Sequence, residues 1–335
     1  MKLGRILFGC AFASLCALSG SAWAQAVHEF SCGITPFSYP NSITAGPDGN
    51  LWFTQPNNDH IGRISPSGVV TEFGTGITAG ATPMGIAAGP DGNLWFTEQN
   101  GNRIGRITPL GVVTQFSAGI SANAGPLGIA AGSDGNLWFT ESNDVQGIGR
   151  ITPAGVVTEF SAGITAFSSP TDITAGPDGN LWFTEQKDQI GRITPSGGVT
   201  EFSAGIKSGP VGIAAGADGN LWFTEHRSNQ IARITPLGVV TEFSNGISAN
   251  AGLEGITAGP DGNLWFAEFF YGVARITPLG VVTEFSAGIT SGAGAFGITA
   301  GLDRDLWFTE NSISRIGRIT TLLSDVLFAD GFDCP

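Results

Sequence analysis

The chain has 335 residues, 41 % hydrophobic and 13 % charged, which supplies ample core material and excludes general disorder. Acidic residues number 28 against 15 Lys and Arg, a formal net charge of -13 with no basic patch. That balance argues against nucleic acid and anionic membrane surfaces as partners.

The first element is a leader. Lys2 and Arg5 precede an apolar run over residues 6–18, and Ala22-Trp23-Ala24 has the small-x-small form of a secretory cleavage site. Residues 1–24 are therefore expected to be a signal peptide, and the protein to be exported, either periplasmic or secreted. Leu7-Phe8-Gly9-Cys10 loosely fits a lipid-attachment box, but the apolar run before it is short. No other stretch approaches the roughly 20 apolar residues of a spanning helix, so no membrane insertion is expected after leader removal. Without Lys2 and Arg5 the balance becomes 13 basic against 28 acidic residues, a net charge of -15. Leader removal also leaves Cys32 and Cys334 as the remaining cysteines, and an oxidising compartment favours one disulfide between them. Two unpaired buried thiols are the alternative.

Beyond the leader, tryptophans recur at 52, 95, 138, 182, 222, 265 and 307, each inside a Leu-Trp-Phe phrase. A period of 40 to 44 residues marks a repeat architecture. In the repeat over residues 83–119, strands are predicted at 85–89, 94–98, 104–108 and 112–116. Pro90-Asp91-Gly92-Asn93 and Pro109-Leu110-Gly111 supply the tight turns. The second strand alternates Leu94 and Phe96 with Trp95 and Thr97, so both faces are largely apolar and each sheet must be covered on both sides. Seven such sheets satisfy that need radially. The expected fold is all-β, a seven-bladed β-propeller of four-stranded antiparallel blades over residues 25–320, with a C-terminal tail at 321–335.

The last repeat lacks its fourth strand, because Thr321-Leu322-Leu323 replaces the usual Pro-x-Gly-Val-Val-Thr-Glu-Phe. Residues 27–34, Val-His-Glu-Phe-Ser-Cys-Gly-Ile, match residues 157–164, Val-Thr-Glu-Phe-Ser-Ala-Gly-Ile. The N-terminal strand is thus expected to complete the seventh blade and remove the open edges. A Cys32–Cys334 bond would lock that ring by closing a loop of about 300 residues, for roughly 4 to 5 kcal/mol on a chain-entropy model.

Arg63, Arg106, Arg150, Arg192, Arg233, Arg275 and Arg318 share one third-strand position and are expected to pair with glutamates of the second and fourth strands. Of the second-strand glutamates, Glu268 and Glu310 are candidate ligands for a hard cation such as Mg²⁺ at the channel mouth, with structural pairing as the alternative. The Asp-Gly turns need only turn chemistry. No nucleophile elbow or phosphate-cradling loop is present.

The pattern Gly-Ile-Thr-Ala-Gly-Pro-Asp-Gly-Asn-Leu-Trp-Phe-Thr-Glu, followed by Asn-x-Ile-Gly-Arg-Ile-Thr and Val-Val-Thr-Glu-Phe, resembles the virginiamycin B lyase (streptogramin lyase) family across residues 27–320. The resemblance implies a seven-bladed propeller and a Mg²⁺-assisted elimination that opens a cyclic depsipeptide at its ester bond. It also implies catalytic histidines in Pro-His-Ala-Ile and Pro-His-Gly-Ile motifs entering the first strands of the last two blades. At those positions this chain has Glu254 and Phe296, and the other blades have Asn41, Met84, Leu127, Thr171 and Val211. Phenylalanine cannot abstract a proton. Glu254 becomes a candidate base if burial raises its pKa, with Glu268 or Glu310 near a metal.

His60 and His226 follow second strands on the mouth side, and His226, beside Glu225, is the better catalytic candidate. Phe37, Tyr39, Phe167, Phe269, Phe270, Tyr271 and Phe296 depart from the repeat on the same face. They suit a partly apolar ligand, small and cyclic or peptide-like, or else plug the channel. The preferred expectation is an exported, monomeric, streptogramin-lyase-like propeller that binds a ligand or protein partner at its channel mouth with little or no lyase activity. The alternative is a divalent-metal-dependent carbon-oxygen lyase opening a cyclic depsipeptide, or a hydrolase using relocated carboxylates.

Overall fold

A computed structural model describes residues 26–320. The proposed leader, the tail and Cys334 lie outside the described residues. Cys32 is not a free thiol, and its expected pairing with Cys334 falls beyond what is described.

The described residues form seven four-stranded antiparallel sheets arranged as a propeller. Blade 2 consists of Pro83–Ala88, Leu94–Glu98, Arg103–Ile107 and Val113–Phe116, running from the channel outward. The second strand coincides with its predicted bounds. The first begins two residues earlier, because Pro83 pairs with Glu98 across an irregularity before Ile86. This bulge removes Met84 and Gly85 from the regular ladder, and the same shift recurs in blades 3 to 7. Closure follows expectation, with Val27–Phe30 pairing antiparallel to Arg315–Ile319 in register from Val27↔Ile319 to Phe30↔Ile316.

Strand alternation assigns each side chain to a face. On one face of blade 2, Trp95 lies opposite Arg106, and Arg106 opposite Thr114. Trp95 stacks on Phe116 at 5.4 Å, while the Arg106 guanidinium lies 5.4 Å and 5.5 Å from their ring centroids. The stack recurs in every blade. Asp91, in the Asp-Gly turn, accepts from Trp95 Nε1 at 3.0 Å and lies 3.9 Å from Arg106, whose Nη1 donates to Pro109's counterpart in the next blade, Pro153 O, at 3.1 Å. The expected pairing of these arginines with second- and fourth-strand glutamates is therefore corrected. Gln115 and its glutamate counterparts face the opposite side of the sheet, across from Gly105. A Cβ on Gly105 would sit 2.1 Å from the Phe96 ring, and blades 5 and 6 make room at the same position for Ala232 and Ala274.

The core lies between blades. Trp95 and Ile104 of blade 2 pack with Ile129, Leu137, Phe139 and Ile151 of blade 3, all buried, and equivalent layers follow around the ring. Each buried Leu, Ile or Phe contributes about 1.5 to 3 kcal/mol relative to exposure. Seven such layers fix the channel they surround.

Candidate functional site

The bulged first strands surround a central cavity of about 480 Å³. Thr97 pins one bulge by accepting from Gly85 N at 2.9 Å and donating to Leu127 O of the next blade at 2.7 Å. The same threonine fastens most neighbouring blades, but blade 6 has Ala267 at this position. The walls are mainly apolar or backbone, with Met84, Leu127, Val211 and Phe296 facing the space. Into these walls are set Asp172, His226, Arg227 and Glu254.

Glu254 and His226 come from different blades and meet. His226 Nδ1 is 3.2 Å from Glu254 Oε1 and 3.1 Å from Leu253 O. The Glu254 backbone is fixed by Thr224, which donates to its carbonyl at 2.7 Å. Burial raises the Glu254 carboxyl to about 7, placing its proton exchange near neutral pH. The two residues thus form a carboxyl–imidazole pair on the channel wall, with geometry suited to accepting a hydrogen bond or a proton.

Asp172 is a site residue that the sequence reading did not single out. It stands where blades 2, 3, 5, 6 and 7 carry Gly85, Gly128, Gly212, Gly255 and Gly297. In most blades a side chain here presses on the neighbour, as a Cβ on Gly128 would lie 2.7 Å from Thr171 O. Asp172 instead accepts from Ile173 N at 2.9 Å and from Ile213 N of blade 5 at 3.0 Å. Its carboxyl is raised to about 6 because burial outweighs those two hydrogen bonds. Aligning this column across the repeats would have exposed it.

The aromatic candidates divide into three places. Phe296 lines the channel cavity. Phe269, Phe270 and Tyr271 line a separate cleft of about 220 Å³ on the side of blade 7's first strand. Phe37, Tyr39 and Phe167 do not line the channel cavity; Phe37 is 73 % exposed and Phe167 77 %. Both phenylalanines have left-handed backbone, φ 59° and 61°, at a position that Gly80, Asn123, Asn250 and Gly292 hold in other blades. Bulky residues pay a steric cost there, offset at Phe167 by Lys187 Nζ, which lies 5.4 Å from the ring centroid.

Glu268 and Glu310 do not line the channel cavity. Each is fully buried within its own blade, facing the outer-strand Glu284 or Glu29. Among the described residues no group of three or more His, Cys, Asp or Glu is disposed to hold a metal ion. His60 hydrogen-bonds Asn58 O through Nδ1 at 2.5 Å and does not line the cavity, and His28 lies opposite Arg318 on the closing strand.

A closed seven-bladed propeller with an axial cavity defines the structural class. The chain belongs to the virginiamycin B lyase family, whose model matches residues 25–250 and 244–324. A streptogramin B lyase structure is 35 % identical, with a TM-score of 0.82 over 90 % of this chain and 99 % of that one. The virginiamycin B lyase of Staphylococcus aureus is 37 % identical, with a TM-score of 0.82 over 89 % of this chain and 100 % of its own. A catalytically inactive histidine-to-alanine variant of the latter enzyme, crystallised with quinupristin, has a TM-score of 0.81 and 37 % identity. More distant propellers, at 15 to 16 % identity, include extracellular domains and share the fold alone. No curated protein matches the sequence. Among the described residues no helix is long and apolar enough to cross a membrane.

Proposed function

We propose that this protein is an exported binding propeller that takes a partly apolar, cyclic or peptide-like ligand at its channel mouth and has little or no lyase activity. The observation that carries this reading is the pair of positions to which the family's catalytic histidines map, occupied by Glu254 and Phe296 on the wall of a largely apolar cavity. Phe296, Met84, Leu127 and Val211 offer apolar contact, while Asp172 and Glu254 offer acceptors for the polar groups of a peptide. The strained, exposed Phe37 and Phe167 support ligand contact at the rim, since the fold itself favours glycine or asparagine there. Passage through a leader at 1–24, a Cys32–Cys334 lock and a monomeric state complete the proposal.

One observation favours a second reading. The Glu254–His226 contact provides a base poised near neutral pH, which a relocated elimination or hydrolysis needs. In that reading Asp172 and Glu254 are the cavity carboxylates that would face a Mg²⁺ ion, which would supply polarisation of the ester when bound.

Incubation of the purified protein with a streptogramin B depsipeptide and Mg²⁺, followed by mass spectrometry, separates the two. The expected result is a bound but intact ring. Rapid linearisation that Glu254→Gln abolishes would establish the lyase instead.

A further inference from the structure

The buried glutamates on the face opposite the arginine stacks pose a hydrogen-bonding problem. In blades 3 and 4, both carboxyl oxygens of Glu141 and of Glu185 are buried without a hydrogen-bond donor. Their outer-strand partners are well supplied. Glu159 accepts from Ser121 N at 2.6 Å and from its Oγ at 2.5 Å, and Glu201 accepts from Thr165 N at 2.5 Å and from its Oγ1 at 2.6 Å. A buried acceptor without a donor costs its full desolvation, and two facing carboxylates repel as well.

The other repeats act as internal controls. Blade 1 has Gln55 at the inner position, and its amide donates to Glu72 at 2.6 Å, while Thr35 supplies Glu72 with the same two hydrogen bonds. Blade 2 reverses the pair, with Gln115 donating to Glu98 at 2.7 Å and Arg103 3.5 Å from that carboxylate. In blade 5, Glu225 accepts from Lys207 N and Ser228 Oγ, and Lys207 Nζ lies 3.5 Å from Glu242. Each of these blades supplies a donor or a cation. Blade 3 supplies neither a cation nor an amide, since the third-strand residue opposite Glu141 is Gly147; in blade 4 the residue opposite Glu185 is Gln189, whose amide makes no hydrogen bond to that carboxyl. The groups facing Glu141 reduce to Glu159, and those facing Glu185 to Glu201 and the Ser168 hydroxyl.

We infer that Glu141 is a carboxylic acid in the folded protein at neutral pH and that Glu185 is one at mildly acidic pH, each donating its proton to the outer-strand carboxylate as the glutamine amide does in blade 1. The donor sets assign the proton. The outer carboxylate already accepts two hydrogen bonds and is the ionised member, whereas the inner carboxyl faces no donor at Glu141 and only the Ser168 hydroxyl at Glu185, and so donates. Burial and the adjacent carboxylate push Glu141 up to about 9, and burial pushes Glu185 up to about 7, in agreement with the geometry. The same two orphaned oxygens recur at Glu268, beside Glu284, and at Glu310, beside Glu29 and Arg315. The propeller is therefore built with internal protons, and its stability falls as they are removed.

The sign is fixed by linkage. The unfolded carboxyl titrates near about 4.3 and the folded one higher, so the extra stability is complete below the unfolded value and is lost as pH rises through the folded value. For each retained proton the unfolding constant rises up to about tenfold per pH unit over that window. Denaturant unfolding of the intact protein at pH 5, 7 and 9 is the test, comparing wild type with Glu141→Gln/Glu185→Gln. The double variant is expected to flatten the pH slope between pH 5 and 7 by up to two such factors and to unfold less readily at pH 9. Infrared spectra of the wild type at pH 7 are expected to contain protonated-carboxyl C=O absorption that weakens in the double variant. Should that variant fail to fold, Gln55→Glu serves instead, adding a pair and steepening the slope. An unchanged slope with no protonated-carboxyl absorption overturns the inference. So does stabilisation of the wild type at pH 8 by Mg²⁺ or Ca²⁺ that EDTA reverses, which would place a cation where the proton is assigned.

Discussion

Midway along each blade the seven copies are nearly interchangeable, while at the channel mouth no two are alike. Every blade repeats the tryptophan, the arginine above it and the outer-strand phenylalanine, with ring separations confined to 5.1 to 5.6 Å. Around the mouth, one structural position is held in turn by Asn41, Met84, Leu127, Thr171, Val211, Glu254 and Phe296. The mid-blade contacts join one blade to the next, so a change there must satisfy two sheets at once. Mouth side chains extend from a bulge whose backbone is already fastened by the second strand's threonine, and packing leaves their identity open. Selection for a ligand can act where selection for the fold does not.

Three substitutions test that division. Trp182→Ala, in an inter-blade layer and stacked at 5.4 Å on Phe202, is expected to lower stability by about 3 to 5 kcal/mol, read from denaturant unfolding. A loss below about 1 kcal/mol would mean that the layers do not carry the ring. Gly128→Ala probes the border between the two regions, because its Cβ would meet Thr171 O at 2.7 Å. It is expected to cost about 1 to 3 kcal/mol. A neutral result would show that the blades can separate slightly and that the channel width is not fixed. Phe167→Asn should act in the opposite direction, raising stability by about 1 kcal/mol through relief of a left-handed bulky residue while weakening any ligand bound at the rim. A thermal midpoint that falls instead would give Phe167 a structural role and remove it from the mouth surface.

Period, turn chemistry and the displaced final strand made the architecture legible in the sequence, down to the bounds of Leu94–Glu98. These are local signals repeated seven times. The arginine partners were not legible from proximity along the repeat, because the decisive fact is parity: Gln115 lies opposite Gly105 and faces away from Arg106. Glu254 emerged from comparison with a family pattern, but its contact with His226 depends on how blade 5 abuts blade 6. Asp172 was visible as an exception in a column of glycines, yet its meaning required knowing that the column faces the axis. The bulge explains much of this difficulty. It sets two residues of the first strand against one of the second, and alternation carried across that extra residue assigns what precedes it to the wrong side.

The join between Val27–Phe30 and Arg315–Ile319 also sets a timetable. During synthesis the first strand of the propeller to emerge waits for the last, since its hydrogen-bonding partner is made only after all the intervening blades. Inner blades can assemble as they appear, each against its predecessor, but the circle itself is a single late event with a very long loop to close. Until then the nascent chain presents two unpaired sheet edges, and a ribosome stalled after blade 6 would leave a crescent prone to join its neighbours.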